Sequence, residues 1–282
     1  MPLTPPYLDQ NVDVLEMNEA FEEVDGSFKF TGTLIVYRAG NNMRHAISKA
    51  RYFSPSEVRA EHLINDILIP VSAYSPPFSS QFTRAPGTLP RDIYIKKPQL
   101  ISYDRVQQGS ELPNHIADSI LREIEICEIL KRHPHPNITA YLGCQVSDGR
   151  ITGICFAKYD CTLMQRANPG SFMKRKSRTV LRKTEDYSRI LEGVESGIRY
   201  LHSLGLVHND INPSNIMLDG DVPIIIDFGS CRRVGESLED VGRTYEWYDE
   251  NVQLSVPKND LDALEEIRIW LGDDSNVFQF DE

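Results

Sequence analysis

The chain has 282 residues, enough for one domain with its own core plus an extension, and its composition of 40% hydrophobic and 25% charged residues is that of an ordinary globular protein. A net charge of −11 argues against nucleic acid or an anionic membrane as partner. Five scattered cysteines without a CxxC pair, and an N-terminus MPLTPPYLDQ with neither a basic segment nor an apolar core, lead us to expect a cytoplasmic protein with reduced thiols, no signal peptide and no transmembrane helix.

Residues 1–60 begin acidic (Asp13, Glu16, Glu19, Glu22, Glu23, Asp25) and continue into GSFKFTGTLIVYRAG, whose apolar and β-branched residues predict one or two strands. They read as an N-terminal extension of unknown role, with a main domain over 61–282. Residues 67–91 are proline-rich and predict an extended linker without regular elements. Ile93, Tyr94 and Ile95 then form a strand ending in Lys96, from which an ammonium can act as a point charge on nucleotide phosphates; Lys97 competes for that place. The segment HIADSILREIEICEILKR is a helix, because Ala117, Ile120, Leu121, Ile124 and Cys127 recur at helical spacing, and it stops before Pro134 and Pro136. The sequon Asn137-Ile138-Thr139 reads as incidental, since glycosylation needs the secretory route.

A strand-like RITGICFAKYDCTL follows a Ser-Asp-Gly turn. The basic cluster Lys174, Arg175, Lys176, Arg178, Arg182 and Lys183 after it reads as a solvated loop face. YSRILEGVESGIRYLHSLG is a second long helix, with Ile190, Leu191, Val194, Ile198 and Leu201 on one stripe and Gly205 as its cap.

The most informative stretch comes next: His208-Asn209-Asp210-Ile211-Asn212-Pro213-Ser214-Asn215, then an apolar run from Val222 to Ile226 that delivers Asp227-Phe228-Gly229. Either motif alone would read as an Asx-rich loop or a strand-ending turn. Together, separated only by a hairpin-length strand pair, they supply what phosphoryl transfer needs. Asp210 can orient the attacking hydroxyl and accept its proton, and Asn215 and Asp227 can offer the oxygen donors that Mg²⁺ requires. Cys231 would sit near the nucleotide and reads as a small apolar filler rather than a functional thiol.

With these residues the chain resembles the eukaryotic protein kinase family from about residue 90 to about 272. The resemblance rests on His208, Asp210, Pro213 and Asn215, on HPHPNI after the first helix, and on GIRYLHSLG before the catalytic loop. It implies an α+β, two-lobed protein kinase-like fold, with a β-rich N-lobe over about 61–156 and a shortened, mostly helical C-lobe over about 160–282. It also implies that Glu125 pairs with Lys96, with Glu123 and Glu128 flanking it on the same helix. Phe156 becomes the gatekeeper, Ala157, Lys158 and Tyr159 the hinge that meets adenine, and Met217 the residue beneath that ring. Phe228 would seat Asp227 on the core, and Asp260 in NDLDALEEIRIWL would brace the catalytic loop.

The departures are specific. Asn209 stands where the family usually has Arg, and Asn212 where its Ser/Thr members usually have Lys. No glycine-rich loop precedes the Lys96 strand. Tyr248-Asp249-Glu250 replaces the family's A-P-E, with Thr244 at the usual threonine position, and the chain ends soon after the Asp260 helix. The expected function is an ATP- and Mg²⁺-dependent protein kinase, with Pro213 favouring the Ser/Thr type, acting on a protein substrate. A pseudokinase without turnover is the second reading and a small-molecule kinase the third. Oligomeric state is left open.

Overall fold

A computed structural model describes residues 12–88, 92–107, 109, 112–174, 186–272 and 277–280, and over these the protein is an α+β fold. The chain divides into two compact units. One takes the residues up to Ser79 with Lys97–Leu121 and Val146–Gly153; the other takes Ser80–Lys96, Arg122–Gln145 and the chain from Ile154 onward.

The first unit is built on an antiparallel sheet of β1 (Asp13–Val24), β2 (Ser27–Ala39), β3 (Asn42–Ser48) and β4 (Ile64–Ile69), adjacent in chain order. Asp25 and Gly26 join β1 to β2 with φ of 54° and 71°, the left-handed pair that matches strand twist in a tight hairpin. Ile35 and Val36 point to opposite faces, and both are fully buried. On one face Val36, Ile69 and Ala73 of α1 (Val71–Tyr74) pack with Leu100, with Tyr103 of α2 (Tyr103–Gln107) and with Ile116 of α3 (His115–Arg132).

A carboxylate ties the sheet to the segment following Lys96. Glu16 of β1 accepts the backbone N–H groups of Leu100 and Ile101, each at 2.8 Å. The described part of this extension, residues 12–60, carries three strands rather than one or two. The acidic run conceals β1 because its apolar residues are thinly spread among carboxylates that the strand holds in solvent. The linker also begins with regular structure, β4 and α1, before it becomes irregular.

β5 (Ile93–Lys96), β7 (Arg150–Ala157) and β6 (Tyr141–Ser147) form a sheet in the order β5-β7-β6, so the strand carrying Lys96 lies at an edge of it. The rest of the linker is pinned beside β6. Cys144 N–H donates to Thr83 O at 2.7 Å and Ala85 N–H donates to Cys144 O at 2.9 Å. Gly143 permits this approach: a Cβ there would lie 2.6 Å from Ala85 N, and its φ of 131° suits only glycine. Glu128 of α3 completes the anchor by accepting Thr83 N–H at 2.6 Å and its hydroxyl at 3.0 Å.

The helical part carries β8 (Cys161–Thr162), α4 (Leu163–Ala167), α5 (Ser188–Ser203), β9 (Leu206–Val207), the hairpin β10 (Ile216–Asp219) and β11 (Val222–Ile225), β12 (Arg232–Arg233) and α6 (Pro257–Leu271). The apolar stripe expected on α5 is buried throughout: Ile190, Leu191, Val194, Ile198 and Leu201. Gly205 follows that helix with φ of 73°, as its cap position requires.

Lys174, expected on a solvated loop face, is instead buried, its side chain 2% exposed. Its ammonium donates to the fully buried Glu266 and to Glu246 O, over the rings of Trp247 and Phe278. Burial of both charges is sustained because each has a partner within reach. Arg175, Lys176, Arg178, Arg182 and Lys183 lie outside the described residues. No helix among the described residues is long and apolar enough to cross a membrane.

The Glu16 contacts make a direct prediction. Glu16→Ala should lower unfolding free energy in urea by about 2 kcal/mol, the loss of two charge-assisted hydrogen bonds, whereas Glu22→Ala on the exposed part of the strand should stay within about 0.5 kcal/mol. Equal effects would show that the carboxylate does not hold the segment.

Candidate active site

Catalytic-loop geometry begins with a brace. Asp260 on α6 is fully buried and accepts the backbone N–H groups of His208 and Asn209 at 2.9 and 2.7 Å. It also meets His202 Nε2 of α5 at 2.8 Å. The loop is thereby fixed at its entrance. His208 receives Asp210 N–H on Nδ1 at 3.3 Å, which leaves Nε2 to donate to Ile226 O at 3.0 Å. Its ring packs edge-on against Phe228, itself 1% exposed. That contact and hydrogen bond link the loop to the turn presenting Asp227.

Asn209 and Asp227 both have φ of 64°, a left-handed conformation that costs non-glycine residues free energy unless their surroundings hold them. Asn209 is held by its own amide. Nδ2 donates to Val207 O at 3.0 Å and to Ser255 Oγ at 3.0 Å, and Oδ1 accepts Asn259 Nδ2 at 3.0 Å. At this buried position a neutral side chain has all its hydrogen bonds made without any charge.

Asp210 is surrounded by donors. Oδ1 accepts Thr244 N–H at 2.8 Å and Asn212 Nδ2 at 3.2 Å; Oδ2 accepts Asn215 Nδ2 at 2.8 Å and the Thr244 hydroxyl at 3.1 Å. Burial pushes this carboxyl above the usual range, opposed by the Thr244 N–H and by His208. Asn212 also accepts Ser214 N–H at 2.9 Å, which caps the turn that brings Asn215 back toward Asp210.

Lys96 Nζ lies 2.8 Å from both oxygens of Glu123 and 2.9 Å from Asp227 Oδ1. Burial alone would lower the ammonium's pKa, but two carboxylates outweigh it and raise it. Burial likewise pushes Asp227 up, yet Lys96 and the Gly229 N–H hold it below the usual carboxylate range.

The partner of Lys96 is therefore Glu123, not Glu125. Two residues along a helix turn the side chain by about 200°, and Glu125 is exposed while Glu123 is 4% exposed. The signal was present in the sequence. Glu123 lies three residues after Ile120 and four before Cys127, on the apolar stripe itself, where a buried carboxylate demands a partner. Glu128, the other neighbour considered, anchors Thr83 instead.

Beside this cluster is a cavity of about 310 Å³, lined by Lys96, Phe156, Ala157, Lys158, Tyr159, Met217 and Asp227, the seven residues expected to contact nucleotide. Tyr94, Thr139 and Ile226 also line it and were missed. In the hinge, Ala157 N–H donates to Ala140 O at 3.0 Å and Lys158 N–H to Asp92 O at 3.3 Å, whereas Tyr159 N–H makes no hydrogen bond among the described residues. Thr139 Oγ1 is buried without a hydrogen-bond partner among those residues.

This arrangement fits nucleotide and Mg²⁺. Apolar walls flank a donor N–H on the hinge. Among the described residues the Asn215 amide, steered by its Nδ2 bonds to Asp210, keeps its oxygen free of hydrogen bonds, and one Asp227 oxygen is likewise unengaged. An amide and a carboxylate oxygen are the donors that a hard cation accepts. Cys231 is 2% exposed, and burial pushes its thiol far up, which makes it core filler.

Residues 96–252 match the protein kinase domain family. The chain is 26% identical over 177 residues, 61% of its length, to serine/threonine-protein kinase TAO3 of Xenopus laevis. It is 28% identical over 155 residues, 54% of its length, to serine/threonine-protein kinase Tao of Drosophila melanogaster. Similarity to serine/threonine-protein kinase ELM1 of Saccharomyces cerevisiae is 48% over 52 residues, 18% of the chain. The chain spans 18%, 13% and 8% of those three relatives respectively.

The two glutamates separate cleanly in a stability measurement. Glu123→Gln should cost about 2 kcal/mol by weakening a buried charge pair, and Glu125→Gln less than about 0.5 kcal/mol. A Glu125→Gln variant that loses as much would restore the original pairing.

Proposed function

The chain belongs to the protein kinase domain family, and on that premise we propose that it is an ATP-dependent protein kinase of the Ser/Thr type, transferring the γ-phosphate of ATP to a protein hydroxyl. The observation that carries this reading is the ammonium of Lys96 held by Glu123 and Asp227 at the wall of the 310 Å³ cavity.

In this reading Lys96 offers its positive charge to the α- and β-phosphates, and Glu123 keeps it there. Tyr159 N–H and the hinge carbonyls take the edge of adenine, with Phe156 and Met217 as apolar walls. Asn215 and Asp227 would hold Mg²⁺, which would supply positive charge against the phosphates of ATP, the phosphoryl donor. Asp210 orients the acceptor hydroxyl and takes its proton; positioning and charge neutralisation do most of the remaining work.

A second reading, nucleotide binding without turnover, is favoured by one observation: four donors already occupy the Asp210 carboxylate, so an acceptor hydroxyl must displace one of them. Thr244 is the candidate to yield, because it lies on an exposed segment. The family uses ATP and Mg²⁺ and acts on protein in general.

Turnover decides between the readings. With MgATP and a generic protein acceptor, Asp210→Ala and Asp227→Asn should each reduce phosphoryl transfer by roughly 10²- to 10⁴-fold. Thermal stabilisation by MgATP without turnover in the wild type would favour the second reading. A second check uses pH. Since Asp210 must be ionised and burial raises its pKa, activity should rise with pH, and its acid limb should lie above that of an ordinary aspartate near 3.9. An acid limb at or below that value would remove Asp210 from the proton-accepting role.

A further inference from the structure

The segment that puts Thr244 on Asp210 continues into a strained turn. Trp247 N–H donates to Thr244 O at 3.1 Å, closing Thr244-Tyr245-Glu246-Trp247, and Glu246 has φ of 68°. The third position of such a turn suits glycine or asparagine, and a glutamate there costs free energy unless its surroundings hold it. Glu246 is held through its carbonyl, which accepts the ammonium of Lys174. That ammonium lies 4.8 Å from the ring centroid of Trp247 and 4.5 Å from that of Phe278. Trp247 packs edge-on against the fully buried Trp270 of α6, with centroids 5.7 Å apart.

Lys174 can be buried there because Glu266 of α6 meets it, a carboxylate that also accepts Gln279 N–H at 2.8 Å. A buried ion pair adds little stability over an apolar pair of similar volume. What this one supplies is direction. An ammonium anchored by a carboxylate presents a donor at a fixed place, and here it faces the carbonyl of the left-handed residue in the turn. From the same turn Thr244 gives Asp210 its N–H at 2.8 Å and its hydroxyl at 3.1 Å. Polar contacts therefore run from Glu266 through Lys174 to the turn, and from the turn to the Asp210 carboxylate.

We propose that Lys174 is a positioning residue: paired with Glu266, it fixes the Glu246 turn and so keeps Thr244 on the carboxylate of Asp210. This deepens the kinase reading above and rests on it for its catalytic consequence. Lys174 acts through Glu246 and is not part of the cavity lining. With the backbone of the turn held, the Thr244 side chain can rotate to another staggered position and yield its place to an acceptor hydroxyl. Its N–H stays on Asp210 meanwhile and keeps the carboxylate aimed.

The test combines Lys174→Met with Glu266→Gln, which removes the donor without leaving either charge buried alone. Amide hydrogen exchange, MgATP binding and phosphoryl transfer are measured on the full chain. In this double variant Thr244 N–H should exchange about 10-fold faster than in the wild type, as the turn loosens locally. MgATP affinity should stay within about 2-fold, while transfer to a protein acceptor falls about 10- to 100-fold, the scale that small misplacements carry. Adding Glu246→Gly, which adopts φ of 68° without strain, should recover at least about 3-fold of that transfer. Glu246→Val leaves the buried pair intact but resists positive φ; it should also speed Thr244 exchange, and it decides the matter where the double variant does not fold. Thr244 exchange unchanged in the folded variants would overturn the anchor, whether or not the protein turns over. So would MgATP affinity falling in step with transfer, which would mark a general loosening, or a glycine variant no faster than the double variant. A wild type without turnover would overturn the kinase reading instead, and the exchange rates alone would then judge the anchor.

Discussion

A single ammonium organises the candidate site. Lys96 ends an edge strand, Glu123 comes from a helix and Asp227 from a turn after a hairpin, and they meet only because opposite charges in a poorly solvated place must be paired. Glu123, almost fully buried, could not remain ionised at little cost without the lysine. Asp227, pulled below the usual carboxylate range by the same lysine, is kept charged and ready for a cation. The remaining parts of the site can be read as supports that keep these three groups, and Asp210 beside them, in place.

Those supports are one buried carboxylate and two neutral amides. Asp260 is buried and satisfied by two backbone N–H groups and His202. Asn209 holds a left-handed backbone with amide bonds alone, and Asn212 steadies both Asp210 and the turn leading to Asn215. At two positions where the family commonly carries a cation, this chain carries an amide. Hydrogen bonds of fixed direction do the orienting there, and they are insensitive to salt in a way that charge pairing at a surface is not. Charge reappears deeper, where Lys174 and Glu266 pair beneath Trp247, the residue after Glu246 in a segment that also places Thr244 on Asp210.

The first unit adds a sheet whose Glu16 grips the backbone just after Lys96, and whose apolar face buries the first turns of the helix that later carries Glu123. Its strands were only partly legible in sequence. GSFKFTGTLIVYRA announces β2 through β-branched and aromatic residues, but β1 is masked by its carboxylates. A strand that keeps one face in solvent can be built largely from glutamate, and composition then resembles a charged surface segment.

What the sequence determined by itself was the local chemistry. His208 to Asn215 and Asp227 to Gly229 are short stretches whose spacing sets which oxygens can converge, and Pro213, Gly205 and the α5 stripe set their backbone context within a few residues. What only tertiary structure decided was the choice among chemically equivalent neighbours. Glu123, Glu125 and Glu128 are the same residue on one helix, and the direction of the buried face assigns one to Lys96, one to solvent and one to Thr83. Lys174 differs from a solvated lysine only in what folds over it. Burial is a property of the whole chain, so the free-energy costs that assign these residues their roles arise only once distant segments close around them.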